Sequence, residues 1–164
     1  MHPAAVPIDV LLAECDVVAT RRGGPGGQRR NKVQTAVVIR HRPTGIVAEA
    51  SERRSQADNR RMAMRRLRLS LALGVRLPPC PAASSIWADR VRAGRIAVAS
   101  GHDDYPTVVA EALDQLAASG GRLAEAAGHL GITTSQLVGL FRKSSVAWQA
   151  VNESRRQAGQ PALA

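Results

Sequence analysis

Three prolines in four positions, Pro78, Pro79 and Pro81, constrain the fold more than any other feature of the sequence. Each fixes its own φ and lacks a backbone donor, so neither a helix nor a central strand runs through them. Small residues follow, Ala82-Ala83-Ser84-Ser85, and residues 77–85 read as a linker. In a chain of 164 residues this leaves room for one small domain on each side. The expected organisation is a first domain over residues 1–76, a helical domain over 86–157 and a short tail over 158–164.

The two sides differ in charge. Residues 1–76 hold 15 basic and 6 acidic side chains, whereas residues 77–164 hold 8 and 7. Nearly all of the excess is arginine, and the chain has only four aromatic residues, Trp87, Tyr105, Phe141 and Trp148. An arginine-loaded domain without aromatic side chains suits the backbone of folded nucleic acid better than stacking on single strands. General solubility is the plainer reading, but it does not require so uneven a distribution. The core must be built from Ala, Val, Leu and Ile, and 45% hydrophobic residues are enough to exclude general disorder. No apolar run reaches the roughly 18 residues of a membrane span, so no membrane partner is expected. The N-terminal MHPAAVPIDVLLAEC has no basic region before its apolar stretch, which argues against a secretory signal. Cys15 and Cys80 sit in no metal or redox spacing and read as reduced thiols of a cytoplasmic protein.

The fold class expected is α+β: a small mixed sheet packed on a long helix, then an all-α helical domain. In the first domain a short helix is expected over 6–14 and a strand over 16–20. A second strand follows over 35–41, rich in β-branched residues, and a return strand over 46–50. Arg42-Pro43-Thr44-Gly45 between them has the chemistry of a turn. A helix is expected over 56–73, capped by Ser55, with Asp58 placed to reach back to the backbone. Ala63, Met64, Leu67 and Leu71 share one face of it, and Arg61, Arg65 and Arg68 share another. The arginine stripe lacks acidic i,i+4 partners and faces a phosphate surface better than it serves as an ordinary solvated face. The helical domain should hold helices over 85–92, 106–118, 122–130, 133–142 and 146–157.

The segment Arg21 to Lys32 is the least ordinary part of the chain. No Gly-Lys-Ser/Thr follows its glycines, so it is not a P-loop, and it is not a dinucleotide fingerprint. It holds no Ser, Cys or His nucleophile and no paired carboxylates. It offers thin backbone at Gly26 and Gly27, a neutral amide at Gln28, and cations at Arg21, Arg22, Arg29, Arg30 and Lys32. Such parts suit insertion into a narrow RNA-lined site, with main-chain N–H groups close to a ligand and an amide able to hold a water. A solvent-exposed glycine loop fits the same residues.

Gly24-Pro25-Gly26-Gly27-Gln28-x-x-Asn31-Lys32 resembles the signature of the peptidyl-tRNA hydrolase domain of bacterial class I peptide chain release factors. The likeness continues through Thr35-Ala36-Val37, His41-x-Pro43-Thr44-Gly45-Ile46 and Arg54-Ser55-Gln56-x-x-Asn59-Arg60, in the family's order and spacing. It covers roughly residues 10–73. The resemblance implies that Gly26 and Gly27 shape a loop entering the peptidyl transferase centre, and that Gln28 is catalytic. Its backbone N–H would stabilise developing negative charge while its side chain orients the attacking water. It implies ribosomal RNA and tRNA contacts from Arg21, Arg22, Arg29, Arg30, Asn31, Lys32, Arg54, Arg61, Arg65 and Arg68. It further implies methylation of Gln28 by a glutamine methyltransferase, the large ribosomal subunit and peptidyl-tRNA as partners, and no metal or soluble cofactor. Two departures add charge near RNA: Arg30 replaces a small aliphatic residue, and Thr20-Arg21-Arg22-Gly23 replaces a Ser-rich lead-in.

Stop-codon-reading members carry a codon-recognition domain ahead of the hydrolase domain. Here about nine residues precede the likeness, so codon-independent release in the rescue of stalled ribosomes is expected. Short rescue members end in a Lys/Arg-rich tail, whereas residues 152–164 hold only Arg155 and Arg156 as cations. A non-catalytic ribosome- or structured-RNA-binding protein, with the helical domain as adaptor, is the alternative. Within the helical domain, residues 123–137 resemble a helix-turn-helix, with Ala127, Gly131 and Leu137 at its small, turn and apolar positions. Thr133, Thr134, Ser135 and Gln136 would face a groove. A net charge of only +1 over residues 77–164 favours two helices packed around a tight turn, and no duplex DNA partner is expected. His102, Asp103 and Asp104 are adjacent and cannot converge on one ion, and a capped loop before Pro106 is expected there.

Overall fold

The computed structural model describes residues 1–20, 35–80 and 82–163. Contacts divide the chain into two compact units. Residues Val6–Leu71, with Met1, form the first; His2–Ala5 and Ala72–Ala164 form the second.

The first unit opens with α1 (Ile8–Ala13) and continues through β1 (Cys15–Thr20), β2 (Ala36–His41) and β3 (Val47–Ala50) to α2 (Gln56–Gly74), whose last turn belongs to the second unit. The sheet has order β1-β2-β3 and is antiparallel throughout, which corrects the expectation of a mixed sheet. The reason is local: β2 and β3 form a hairpin, and β1 runs against β2 with Cys15 opposite His41 and Thr20 opposite Ala36. Alternation sets the faces. Val37, Ile39 and His41 on β2, with Ala48 and Ala50 on β3, are buried, while Arg40 and Glu49 face water. The hairpin turn requires a positive φ at Gly45 (+71°), whose N–H donates to the His41 carbonyl at 2.8 Å. Along α2, Ala63, Met64, Leu67 and Leu71 are buried, as their spacing predicts, and Ala72 joins them. Arg42 staples the first corner, donating to the carbonyls of Ala13 (2.5 Å) and Cys15 (3.0 Å) and to Asp16 (3.0 Å).

The second unit is built around α4 (Tyr105–Ala118), which is buried on nearly every side. A helix apolar all round needs neighbours all round. These are a 3-10 turn at Pro3–Ala5, α3 (Ser85–Arg90), α5 (Leu123–His129), α6 (Thr134–Arg142) and α7 (Ser145–Gln157). Trp87, Tyr105 and Phe141 fill the core, with the Trp87 indole N–H donating to the Leu130 carbonyl (3.0 Å) and the Tyr105 hydroxyl to the Leu140 carbonyl (3.1 Å). The unit is not all helix. The expected helix over 85–92 stops at Arg90, and a small hairpin follows, β4 (Val91–Arg92) against β5 (Arg95–Ile96).

Both ends of the proline-rich stretch are tied to α4. The Leu77 N–H donates to Asp114 (3.1 Å), and the Ser84 N–H and hydroxyl donate to Glu111 (3.0 and 2.6 Å). The C-terminal residues fold back on α7 in the same way: the Leu163 N–H donates to Asn152 (2.6 Å), and Arg155 donates to the Pro161 carbonyl (3.0 Å).

Candidate functional site

Gly26, Gly27 and Gln28 lie outside the described residues, as do Arg21, Arg22, Arg29, Arg30, Asn31 and Lys32. The structure does describe what stands on either side of them. Thr20 and Ala36 are partners across the β1–β2 ladder, so the chain leaves and re-enters the sheet at one end.

Asn59 fixes the re-entry point. It is fully buried on the second turn of α2. Its amide N–H groups donate to the carbonyls of Thr35 (2.6 Å) and Arg53 (2.9 Å), and its Oδ1 accepts from the Arg53 N–H (2.9 Å). One side chain thus joins the residue before β2, the loop after β3 and the helix. Each buried group left without its partner would cost about 1–3 kcal/mol. Asn59 was not among the residues assigned a role from sequence. An asparagine one turn beyond a Ser N-cap, flanked by arginines, carries no signal of burial. Ser55 caps α2 as expected, accepting from the Asp58 N–H at 3.3 Å.

The arginine stripe is present with a correction. Arg61 and Arg65 are exposed and Arg68 is half-buried. The expectation concerned acidic i,i+4 partners; Arg61 instead donates to Asp58 at i,i+3, and Asp58 does not reach back to the backbone as a capping box requires. Arg66, off the stripe, donates to the Glu49 carbonyl (2.7 Å) and to Glu52 (2.8 Å). The Arg66 hydrogen bond holds the Glu52 carboxyl below its ordinary range. Exposed pairs of this kind contribute at most about 1 kcal/mol each and leave the cationic face in place. Arg54 is exposed directly before the cap, and Arg53 and Arg60 add two more exposed cations that the stripe pattern misses.

No described side chain of the first unit is poised for acid–base or nucleophilic work. The one candidate dyad, His41 with Glu14 (3.2 Å), has its other ring nitrogen on the Thr44 hydroxyl (2.8 Å), and the ring is buried. It supports the hairpin. Burial pushes the Cys15 thiol up, away from the reactive thiolate. The described part of this unit is therefore a packed platform with a cationic surface.

In the second unit the helix-turn-helix positions fall as the spacing requires. Ala127 and Leu137 are buried, and the turn adopts a positive φ (+66°) at Gly131. Thr133 caps α6 by accepting the Gln136 N–H at 3.2 Å, and Thr134 and Ser135 are exposed. At the other end of the core, Asp104 pairs with Arg90 (2.6 Å) and its N–H donates to His102, so these groups brace the entry to α4.

Residues 4–78 match a family model described as the RF-1 domain. Among curated proteins, peptide chain release factor 1 of Chlorobaculum tepidum is 48% identical over 71 residues, 42% of this chain and 20% of that protein. The chloroplastic peptide chain release factor PrfB1 of Arabidopsis thaliana is 46% identical over 67 residues, 41% of this chain and 15% of that protein. The chain thus spans no more than a fifth of the length of these relatives, and the family model takes in the first unit from Val6 to Leu71 together with residues 4–5 and 72–78 of the second.

Proposed function

We propose, for a chain that belongs to the class I release factor family through its RF-1 domain, ribosome-dependent hydrolysis of peptidyl-tRNA in the cytoplasm. The observation that carries this reading is Gly26-Gly27-Gln28 set between two strand ends, Thr20 and Ala36, that the RF-1 fold holds side by side. In this reading the Gln28 side chain orients a water on the ester carbonyl and its backbone N–H stabilises the oxyanion. The peptide–ester bond breaks, and the tRNA 3′ oxygen leaves with a proton. Arg54, Arg61, Arg65 and Arg68 anchor the domain on ribosomal RNA or tRNA, beside the six polar and cationic residues of segment 21–32. The finer reading is codon-independent release from stalled ribosomes, with Gln28 methylated by a glutamine methyltransferase.

The test is release of labelled peptide from ribosome complexes with an empty decoding site, compared with complexes presenting sense or stop codons. Release should be equal in all three. Gly27→Ala and Gln28→Ala should lower the rate by about 100-fold or more while ribosome pelleting is unchanged. An unchanged rate in Gly27→Ala removes the catalytic assignment and leaves the alternative, an RNA-binding adaptor. Replacing Arg61, Arg65 and Arg68 together by Ala should instead weaken binding and make it less sensitive to salt.

A further inference from the structure

We propose that the second unit carries its own surface for double-helical RNA, made by the β4–β5 hairpin and the start of α6. The near-neutral total charge of this unit conceals a separation. Residues 90–102 and 126–152 contain Arg90, Arg92, Arg95, Arg142 and Lys143 and no acidic residue, and of these cations Arg90 is paired with Asp104 outside the stretch. The other stretches of residues 77–164 contain seven acidic residues against Arg122, Arg155 and Arg156. The fold brings the two acid-free stretches together. The Ile96 N–H donates to Gln136 on α6 (3.3 Å), and a Cβ on Gly94 at the hairpin turn would lie 3.9 Å from the carbonyl of Gly131 in the helix-turn-helix corner.

The hairpin is expensive to build. Arg92 and Arg95 face each other across it, both exposed, and neither side chain makes an ion pair or hydrogen bond among the described residues. Like charges directly opposite on a ladder are destabilising. Ala93 in the turn sits at φ +49°, a left-handed conformation that costs a residue with a Cβ about 1 kcal/mol or more. Two adverse features on four residues, beside an acid-free helix corner, fit a surface completed by a polyanion.

The chemistry of the corner selects the polyanion. Base readout by a helix-turn-helix needs long polar side chains at the start of the second helix. Here Gln136 is committed to the hairpin, and the exposed residues are the hydroxyls of Thr134 and Ser135. Hydroxyls beside a pair of arginines suit phosphates and ribose 2′-hydroxyls read by shape, as in A-form RNA. Single strands are disfavoured because Trp87, Tyr105 and Phe141 are buried and Trp148 lies under the Arg142 guanidinium at 5.0 Å, leaving no open stacking platform.

The inference is independent of the catalytic reading: the Gly27→Ala chain should bind duplex RNA as the parent does. The test uses the full chain with Arg61, Arg65 and Arg68 replaced by Ala, so that the first unit contributes less. Binding to a fluorescent 20-base-pair RNA duplex is measured across salt concentrations. Arg92→Ala with Arg95→Ala should weaken it about tenfold and lower the salt slope by about 1–2. Ser135→Glu should weaken it similarly, although a carboxylate near the start of α6 favours the helix and preserves the fold. Arg92→Lys with Arg95→Lys should keep the slope. Unchanged affinity and slope in both the Ala pair and Ser135→Glu overturn the proposal, as does tighter binding to the DNA duplex of the same sequence.

Discussion

Arg61 and Arg155 are one residue type on two helices with opposite surroundings. Arg61 stands in water beside Asp58 on α2. Arg155 on α7 is buried, its guanidinium donating to the carbonyls of Gly121 and Pro161 with no carboxylate among the described residues involved. The contrast extends to both units. The first has no aromatic residue, and its buried set among the described residues is Leu11, Cys15, Val37, Ile39, several alanines, Met64, Leu67 and Leu71, together with Asn59 and His41. The second holds all four aromatics and takes Arg155 inside, while the surface residue Arg76 donates to the buried Asp114 at 2.9 Å. An interior of small aliphatic side chains leaves shape to be fixed by hydrogen bonds, and Asn59 does this for the first unit. An interior with Trp, Tyr and Phe fixes shape by volume and can absorb a buried cation if carbonyls or a carboxylate satisfy it.

The contrast breaks first, and most visibly, at Trp87. Trp87→Ala removes a large buried side chain and orphans the Leu130 carbonyl, and should destabilise the second unit by about 3–5 kcal/mol. Hydrogen exchange should show lost protection in α3 to α7 with β2 retained. Equal loss of protection in β2 would mean that the two interiors are one cooperative structure.

Asn59→Ala sharpens the same comparison from the other side. It should destabilise the first unit by about 2–3 kcal/mol through the stranded groups of Thr35 and Arg53. Because Asn59 positions the chain at the re-entry to β2 without touching substrate, peptide release should fall at saturating protein while ribosome binding persists. Weakened binding at an unchanged maximal rate would make Asn59 a surface determinant instead.

How far the sequence showed these features depends on which physical signal each left. The helices of the second unit come within one residue of their expected bounds, apart from the C-terminal end of α3, which is two residues short, because apolar spacing, Pro106 and the Gly120-Gly121 stop are strong local signals. The β4–β5 hairpin left none. Its strands are two residues each, and Ala93-Gly94 is not the Asn-Gly or Asp-Gly pair that marks such a turn. The charge separation of the second unit was invisible to a domain total, since only folding joins residues 90–102 to 126–152. Asp58 pointed to a capping role by spacing, and the guanidinium of Arg61 competed for it. The Gly-Gly-Gln segment was the most informative part of the sequence and lies outside the described residues, so the structure speaks to its setting through Thr20, Thr35 and Asn59.

The smallest effect concerns histidine. His2 in the second unit accepts the Ala4 N–H on Nδ1 (3.1 Å) and faces the Val75 carbonyl with Nε2 (3.2 Å), an arrangement only the neutral Nε2–H ring can make. Burial lowers its pKa below the usual 6.5, with Arg76 and the N-terminal amino group acting in the same direction, and the Val75 hydrogen bond and the Asp114 carboxylate opposing. A group whose folded pKa is lowered binds fewer protons folded than unfolded. Its contribution is therefore present above pH 6.5 and is lost as pH falls through the folded value. Asp114 acts with the opposite sign, because burial raises its carboxyl above the usual 3.8, so its contribution is lost as pH rises through the raised value. Denaturation midpoints of the second unit should fall on going from about pH 8 to pH 5, and His2→Ala should flatten that slope. His41 of the first unit stands between Thr44 and Glu14 in a different arrangement, so the same titration followed through the first unit should not respond to His2→Ala. A slope that survives His2→Ala would place the acid-sensitive contact elsewhere and remove the N-terminal turn from the list of what holds α4.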